Sequence, residues 1–199
     1  MSNIRLIRTA LAATLLSAAA CGERQASSPP QERLIRLSDQ FSADFALIDQ
    51  DGRLMRDEDL KGKAAIVYFG FATCPDVCPL ALGRLTAALN VLTDKEREKV
   101  IPLFITVDPD RDTPAALKTY LAFDPRIIGL TGERGAIEQA KAGFKVYAEP
   151  EPIPGSEIGY TMNHSSLFYL IEPDGKLRYA LQDTLTPPEI AAAIRAALS

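Results

Sequence analysis

Apolar runs bounded by turn residues recur along the chain, and their length and spacing separate strands from helices. Ala64-Ala-Ile-Val-Tyr-Phe-Gly-Phe71 is apolar without alternation, the pattern of a strand covered on both faces. Val100-Ile-Pro-Leu-Phe-Ile-Thr-Val107 is a second such run. Between them, residues 80–92 place Leu and Ala at helical spacing and predict a helix directly after the first strand. Thr113-Pro114 predicts an N-cap with proline at the first helical position, opening a helix through about residue 123. Residues 44–49, the stretch near Leu54 after the Asp51-Gly52 turn, 127–130 and 145–148 read as short strands, and 134–142 as a helix. The Pro/Gly-rich residues 149–159 read as a surface loop. Residues 167–172 and 177–182 flank Pro173-Asp174-Gly175-Lys176, a strong hairpin signal, and Pro187-Pro188 opens an Ala-rich terminal helix.

A strand that feeds a helix, then alternating strands and helices, then a hairpin before a last helix, is an α/β order. With a cysteine pair at the first strand-to-helix junction it predicts a thioredoxin-like fold with insertions and a C-terminal β-hairpin plus helix over residues 37–199. The 199 residues, 47% hydrophobic and 24% charged, suit one such domain plus appendages. With 22 basic against 26 acidic side chains and no basic run to track a phosphate backbone, nucleic acid is not the expected partner.

The first residues read as a leader rather than as fold. Arg5 and Arg8 form a positive segment, and residues 10–20 are uncharged, mostly apolar and too short to span a bilayer. Residues 1–20 are therefore expected to be a signal peptide, with Ala18-Ala19-Ala20 as its small-residue cleavage site. The segment resembles a bacterial lipobox, with Ala18 where Leu is usual, and this implies lipid modification of Cys21. Residues 21–36, rich in Ser, Pro, Gln and charge, then read as a flexible tether, which makes the protein an exported lipoprotein with its domain in the periplasm. The assignment also accounts for three cysteines: one anchor and one functional pair leave no odd thiol.

The pair is Cys74-Pro75-Asp76-Val77-Cys78-Pro79. At i and i+4 on a helix the two thiols share one face, and a helix N-terminus favours the thiolate form. Such a pair is half a site for a soft metal ion, or a dithiol that closes to a disulfide. The bland alternative is a structural disulfide or two inert buried thiols. His164, the sole histidine, sits in Tyr160-Thr-Met-Asn-His-Ser-Ser166 just before the hairpin, a loop that faces the cysteines in a thioredoxin-like fold. A lone histidine is more often an ordinary hydrogen-bonded side chain, but here two thiolates and an imidazole would give three ligands. That set suits Cu(I) and Cu(II), and it does not exclude zinc. Asp108-Pro-Asp-Arg-Asp-Thr-Pro114 fails as a calcium loop, because Thr113 stands where glycine is required. Asp108 closes a strand neighbouring the thiols and is expected close to them. A peroxiredoxin-type reading fails because Phe71 and Pro75 occupy the positions where its threonine would stand.

Tyr68-Phe-Gly-Phe-Ala-Thr-Cys-Pro-Asp-Val-Cys-Pro79, Thr106-Val-Asp-Pro-Asp-Arg-Asp-Thr-Pro114 and Asn163-His-Ser-Ser-Leu167 together resemble the Sco/SenC family over about residues 40–198. The resemblance implies a membrane-anchored copper metallochaperone that serves the dinuclear copper site of cytochrome c oxidase. It implies one copper ion on Cys74, Cys78 and His164, and the oxidase's copper-binding subunit, or another copper protein, as acceptor. The alternative role is a thiol–disulfide oxidoreductase that reduces the acceptor's cysteines through Cys74 and Cys78. A copper sensor would use the same ligands. Asn163 stands where an Asp commonly precedes the ligand histidine, and Thr73 where an aromatic or His is frequent.

Overall fold

The computed structural model describes residues 34–198; the expected signal peptide, Cys21 and most of the expected tether lie outside them. The buried runs form the centre of the molecule. Strands β4 (Ala64–Gly70) and β5 (Val100–Thr106) pair in parallel, Ala64 opposite Val100 through Gly70 opposite Thr106. Strand β6 (Ile128–Thr131) continues the parallel set beyond β5. Antiparallel strands complete both flanks. On one side stand β9 (Leu167–Ile171), β10 (Leu177–Gln182) and the two-residue β1 (Ile35–Arg36). On the other stand β2 (Ala46–Asp49) and β3 (Leu54–Arg56). The order is β1-β10-β9-β4-β5-β6-β2-β3. Ile35 and Arg36, the last residues of the expected tether, are paired with β10 and so belong to the sheet.

Both faces of the sheet are covered, which is why β4 is buried at every position. On β4, Phe69 meets Phe144 of helix α4 (Arg134–Phe144) at 5.1 Å between ring centroids. From the opposite face Gly70 abuts Cys78 of helix α1 (Val77–Val91), which packs against α5 (Pro187–Ala197). Helix α3 (Pro114–Tyr120) starts as expected, with the Thr113 hydroxyl accepting the Ala116 N–H at 3.2 Å. A further short helix, α2 (Asp94–Arg97), opens on a Thr93–Glu96 capping box. The arrangement is the thioredoxin-like α/β fold. Among the described residues no helix is long and apolar enough to cross a membrane.

The expected loop holds over residues 153–159, but its first four residues, 149–152, are strand. Strand β7 (Ala148–Pro152) and strand β8 (Tyr160–His164) form a separate antiparallel ribbon, with Ala148 opposite His164 and Pro152 opposite Tyr160. Lys145, expected in a strand, is instead the left-handed C-cap of α4 at φ 55°. Ile153 N–H bonds inward to Gly159 and Tyr147 N–H inward to Ser165. By the two-residue period, Pro150 and Pro152 therefore fall where an amide would face outward, and the ribbon loses no ladder bond to them.

Candidate metal centre

The two thiols stand at the carboxyl end of β4, but not as two positions on one helix face. Helix α1 begins at Val77, so Cys78 lies in its first turn while Cys74 sits in the turn before it. The N-cap Asp76 makes no side-chain capping bond. Instead the Cys74 sulfur accepts the Cys78 N–H at 3.4 Å, taking up one of the helix's otherwise unpaired donors. Pro79 follows in the first turn, where a missing N–H costs nothing. Cys78 is fully buried and Cys74 9% exposed, and both are free thiols.

The arrangement makes the pair unequal. The Cys74 thiol is held well below the usual range first by the Cys78 thiol beside it; burial opposes this, and the helix amides add to it. The same pairing of the two sulfurs, together with burial, pushes the Cys78 thiol upward. One sulfur is thus ready as a thiolate while its neighbour keeps a proton.

His164 closes the site from the end of β8. Its Nε2 lies 3.7 Å from Cys78 Sγ, and its Nδ1 lies 2.9 Å from the Ser165 carbonyl oxygen. A carbonyl only accepts, so Nδ1 carries a proton, and in the neutral ring the Nε2 lone pair faces the sulfurs. Phe71 and Tyr68 meet the imidazole edge-on, at 5.8 Å and 6.4 Å between centroids. Ser166 donates to Asp183 at 2.5 Å, so the buried Tyr68 hydroxyl, 2.8 Å away, donates to Ser166. Burial foremost, and the nearby Cys78, push the Tyr68 hydroxyl up and keep it protonated. The structure therefore brings Cys74, Cys78 and His164 together. Their polar atoms bond to one another rather than surround a common point, and no group of three His, Cys, Asp or Glu forms a ready-made cage among the described residues. A cleft of about 250 Å³, lined by Phe71, Cys74, Val77, Met162 and His164 among others, opens the site to solvent.

The two acids of the turn face different segments. Asp112 reaches the cysteine loop, accepting the Ala72 N–H at 2.9 Å, whereas Asp108 turns to Tyr160. Residue types alone do not tell which acid faces which segment, because that depends on the turn. Asn163 is exposed beside His164, and Thr73 is exposed next to Cys74.

Fold and site together define a thioredoxin-like protein with a nearly buried dithiol, at the edge of a cleft, facing an imidazole. The SCO1/SenC family model matches residues 35–199, and the chain belongs to that family. A SCO2-like protein of Rickettsia conorii is 42% identical over 137 residues, a match covering 68% of this chain and 66% of that protein. Protein SCO2 of Saccharomyces cerevisiae mitochondria is 46% identical over 139 residues, covering 69% and 46% respectively. The matches thus span about half to two thirds of these curated relatives. The structure of Bradyrhizobium japonicum ScoI with copper bound superposes with a TM-score of 0.73 at 38% identity, covering 79% of this chain and 99% of that one.

Proposed function

We propose that the protein is a copper metallochaperone that carries one copper ion on Cys74, Cys78 and His164. It passes the ion by ligand exchange to an acceptor, the copper-binding subunit of cytochrome c oxidase. The observation that carries this reading is the single imidazole, its Nε2 lone pair directed at Cys78 Sγ across 3.7 Å, beside a second, thiolate-prone sulfur. Uptake replaces a proton shared between the sulfurs with a cation and releases it to solvent. Soft thiolates hold Cu(I), and the imidazole extends the set to Cu(II).

Anaerobic titration of the reduced, leaderless protein with Cu(I) and Cu(II) tests the reading. One equivalent of each is expected, with sulfur-to-copper charge-transfer absorption for Cu(II). His164→Ala should lose tight Cu(II) binding, and Cu(I) should stay on the two sulfurs. Unchanged Cu(II) affinity in that variant would overturn the ligand set.

The inequality of the thiols favours one second reading, a thiol–disulfide reductase. Cys74 thiolate would attack an acceptor disulfide, and Cys78 would then displace the acceptor thiol. Two electrons pass to the acceptor and a Cys74–Cys78 disulfide forms. If oxidase activity in cells survives His164→Ala but not Cys74→Ser, this second reading replaces the first.

Export and anchoring belong to the same proposal: residues 1–20 removed, Cys21 lipidated, residues 21–36 a tether, the domain periplasmic. The leader pattern supports this. Mass spectrometry of the mature N-terminus should find a diacylglyceryl Cys21, and Cys21→Ala should move the protein to the soluble fraction.

A further inference from the structure

The turn between β5 and α3, residues 108–112, touches both segments that supply the metal centre. Asp112 is 1% exposed, and its Oδ2 accepts the Ala72 N–H at 2.9 Å and the Thr106 hydroxyl at 2.6 Å. Ala72 lies two residues before Cys74, so this carboxylate fixes the loop that presents the first sulfur. The Thr106 hydroxyl in turn accepts the Asp108 N–H at 2.9 Å, which fastens the turn to the end of β5.

Facing the other way, the same turn holds the ribbon. Asp108, 4% exposed, accepts the Tyr160 hydroxyl at 2.8 Å and the Arg111 Nε–H. Arg111 Nη1 donates to the Tyr160 carbonyl at 2.8 Å, and its guanidinium carbon lies 3.8 Å from the Tyr160 ring centroid. Its Nη2 is buried with no hydrogen-bond acceptor, so the guanidinium is committed to the stack. Tyr160 opens β8 and His164 ends it. Four residues of strand rise carry a movement at one end about 13 Å to the other, and pairing with β7 along the whole length keeps the strand straight.

We propose that Asp108, Arg111 and Asp112 form a positioning bracket that sets the separation between the cysteine loop and the His164 arm. The inference rests on the three-ligand reading for its functional meaning, and its structural content stands without copper. Arg111 and Tyr160 position the imidazole, and Asp112 positions the sulfurs. None of the three turn residues is among the proposed ligands.

The test begins on the reduced, metal-free protein, reading amide hydrogen exchange in β8 and the imidazole resonances, which are unambiguous because the chain has one histidine. Arg111→Ala should speed exchange across residues 160–164 at least about tenfold while β4 and β5 stay protected. Arg111→Lys should not restore protection, because an ammonium cannot replace the stacked planar group. Tyr160→Phe keeps the ring, removes only the bond to Asp108, and should give a smaller increase. With copper added, Arg111→Ala should weaken Cu(II) about tenfold and leave Cu(I) within about twofold, whereas Asp112→Asn should weaken both. Unchanged β8 exchange in Arg111→Ala, or equal loss of protection in β4 and β5, overturns the bracket. If His164→Ala does not alter Cu(II) binding, the ligand reading fails instead, and the exchange data still decide the bracket.

Discussion

The imidazole of His164 is fixed twice, by its Nδ1–H on the Ser165 carbonyl and by two aromatic edges, so its free nitrogen has one direction to face. Behind it, Ser166 joins the fully buried Tyr68 hydroxyl to Asp183. Ser166→Ala leaves that hydroxyl without its acceptor, and the expected loss is about 1–3 kcal/mol in urea unfolding. Ser166→Thr, which keeps the hydroxyl, should recover most of it. A second residue-scale expectation concerns pH. Burial pushes the Asp124 carboxyl up, but bonds from Arg126 and Thr86 outweigh it and hold the group below its ordinary 3.8. A carboxyl lowered by folding stabilises above its unfolded value, and that contribution disappears as pH falls through the folded value. Asp124→Asn should therefore cost about 1 kcal/mol at neutral pH, discounted for the half-exposed Arg126. The gap to the parent protein should close below pH 3.8 in thermal unfolding followed across pH.

At the scale of elements, Gly70 shows how closely β4 and α1 approach. A methyl group there would lie 2.8 Å from Cys78 Sγ and 2.8 Å from the Phe104 ring. Gly70→Ala must displace one or the other, at an expected cost of about 1–3 kcal/mol, and should shift the Cu(II) charge-transfer band as Cys78 moves. Chemical denaturation and absorption spectra check the two halves separately. Most elements were legible from residue pattern. The unbroken apolar runs predicted β4 and β5, Thr113-Pro114 predicted the start of α3, and Pro173–Lys176 predicted the β9–β10 turn. What stayed hidden has physical causes. Four-residue α2 is too short for a helical period to register. Pro150 and Pro152 made β7 read as loop, because propensity carries no information about which edge of a strand meets a partner. For the site, the residue types and spacing gave all three candidate ligands. The register did not show that Cys74 caps α1 from outside, since a sulfur acting as a helix cap has no sequence signature. Nor did it separate Asp108 from Asp112.

For the molecule as a whole, ligand linkage gives a measurable consequence of the proposed cargo. A ligand that binds only the folded state at a free concentration a hundred times its Kd stabilises it by about 2.7 kcal/mol. For a domain of this size that is a rise of roughly 5–10 °C in Tm. Scanning calorimetry of the reduced protein with and without Cu(I) should show it, and Cys74→Ser should abolish it. One feature of the ribbon also bears on how the molecule fares among crowded neighbours. An exposed strand normally invites another polypeptide to zip on through its vacant amides. Here the outward rim of β7 has pyrrolidine rings in place of those amides at Pro150 and Pro152. That rim therefore offers an incoming strand fewer donors, which weakens β-pairing along the side of the ribbon away from His164's strand.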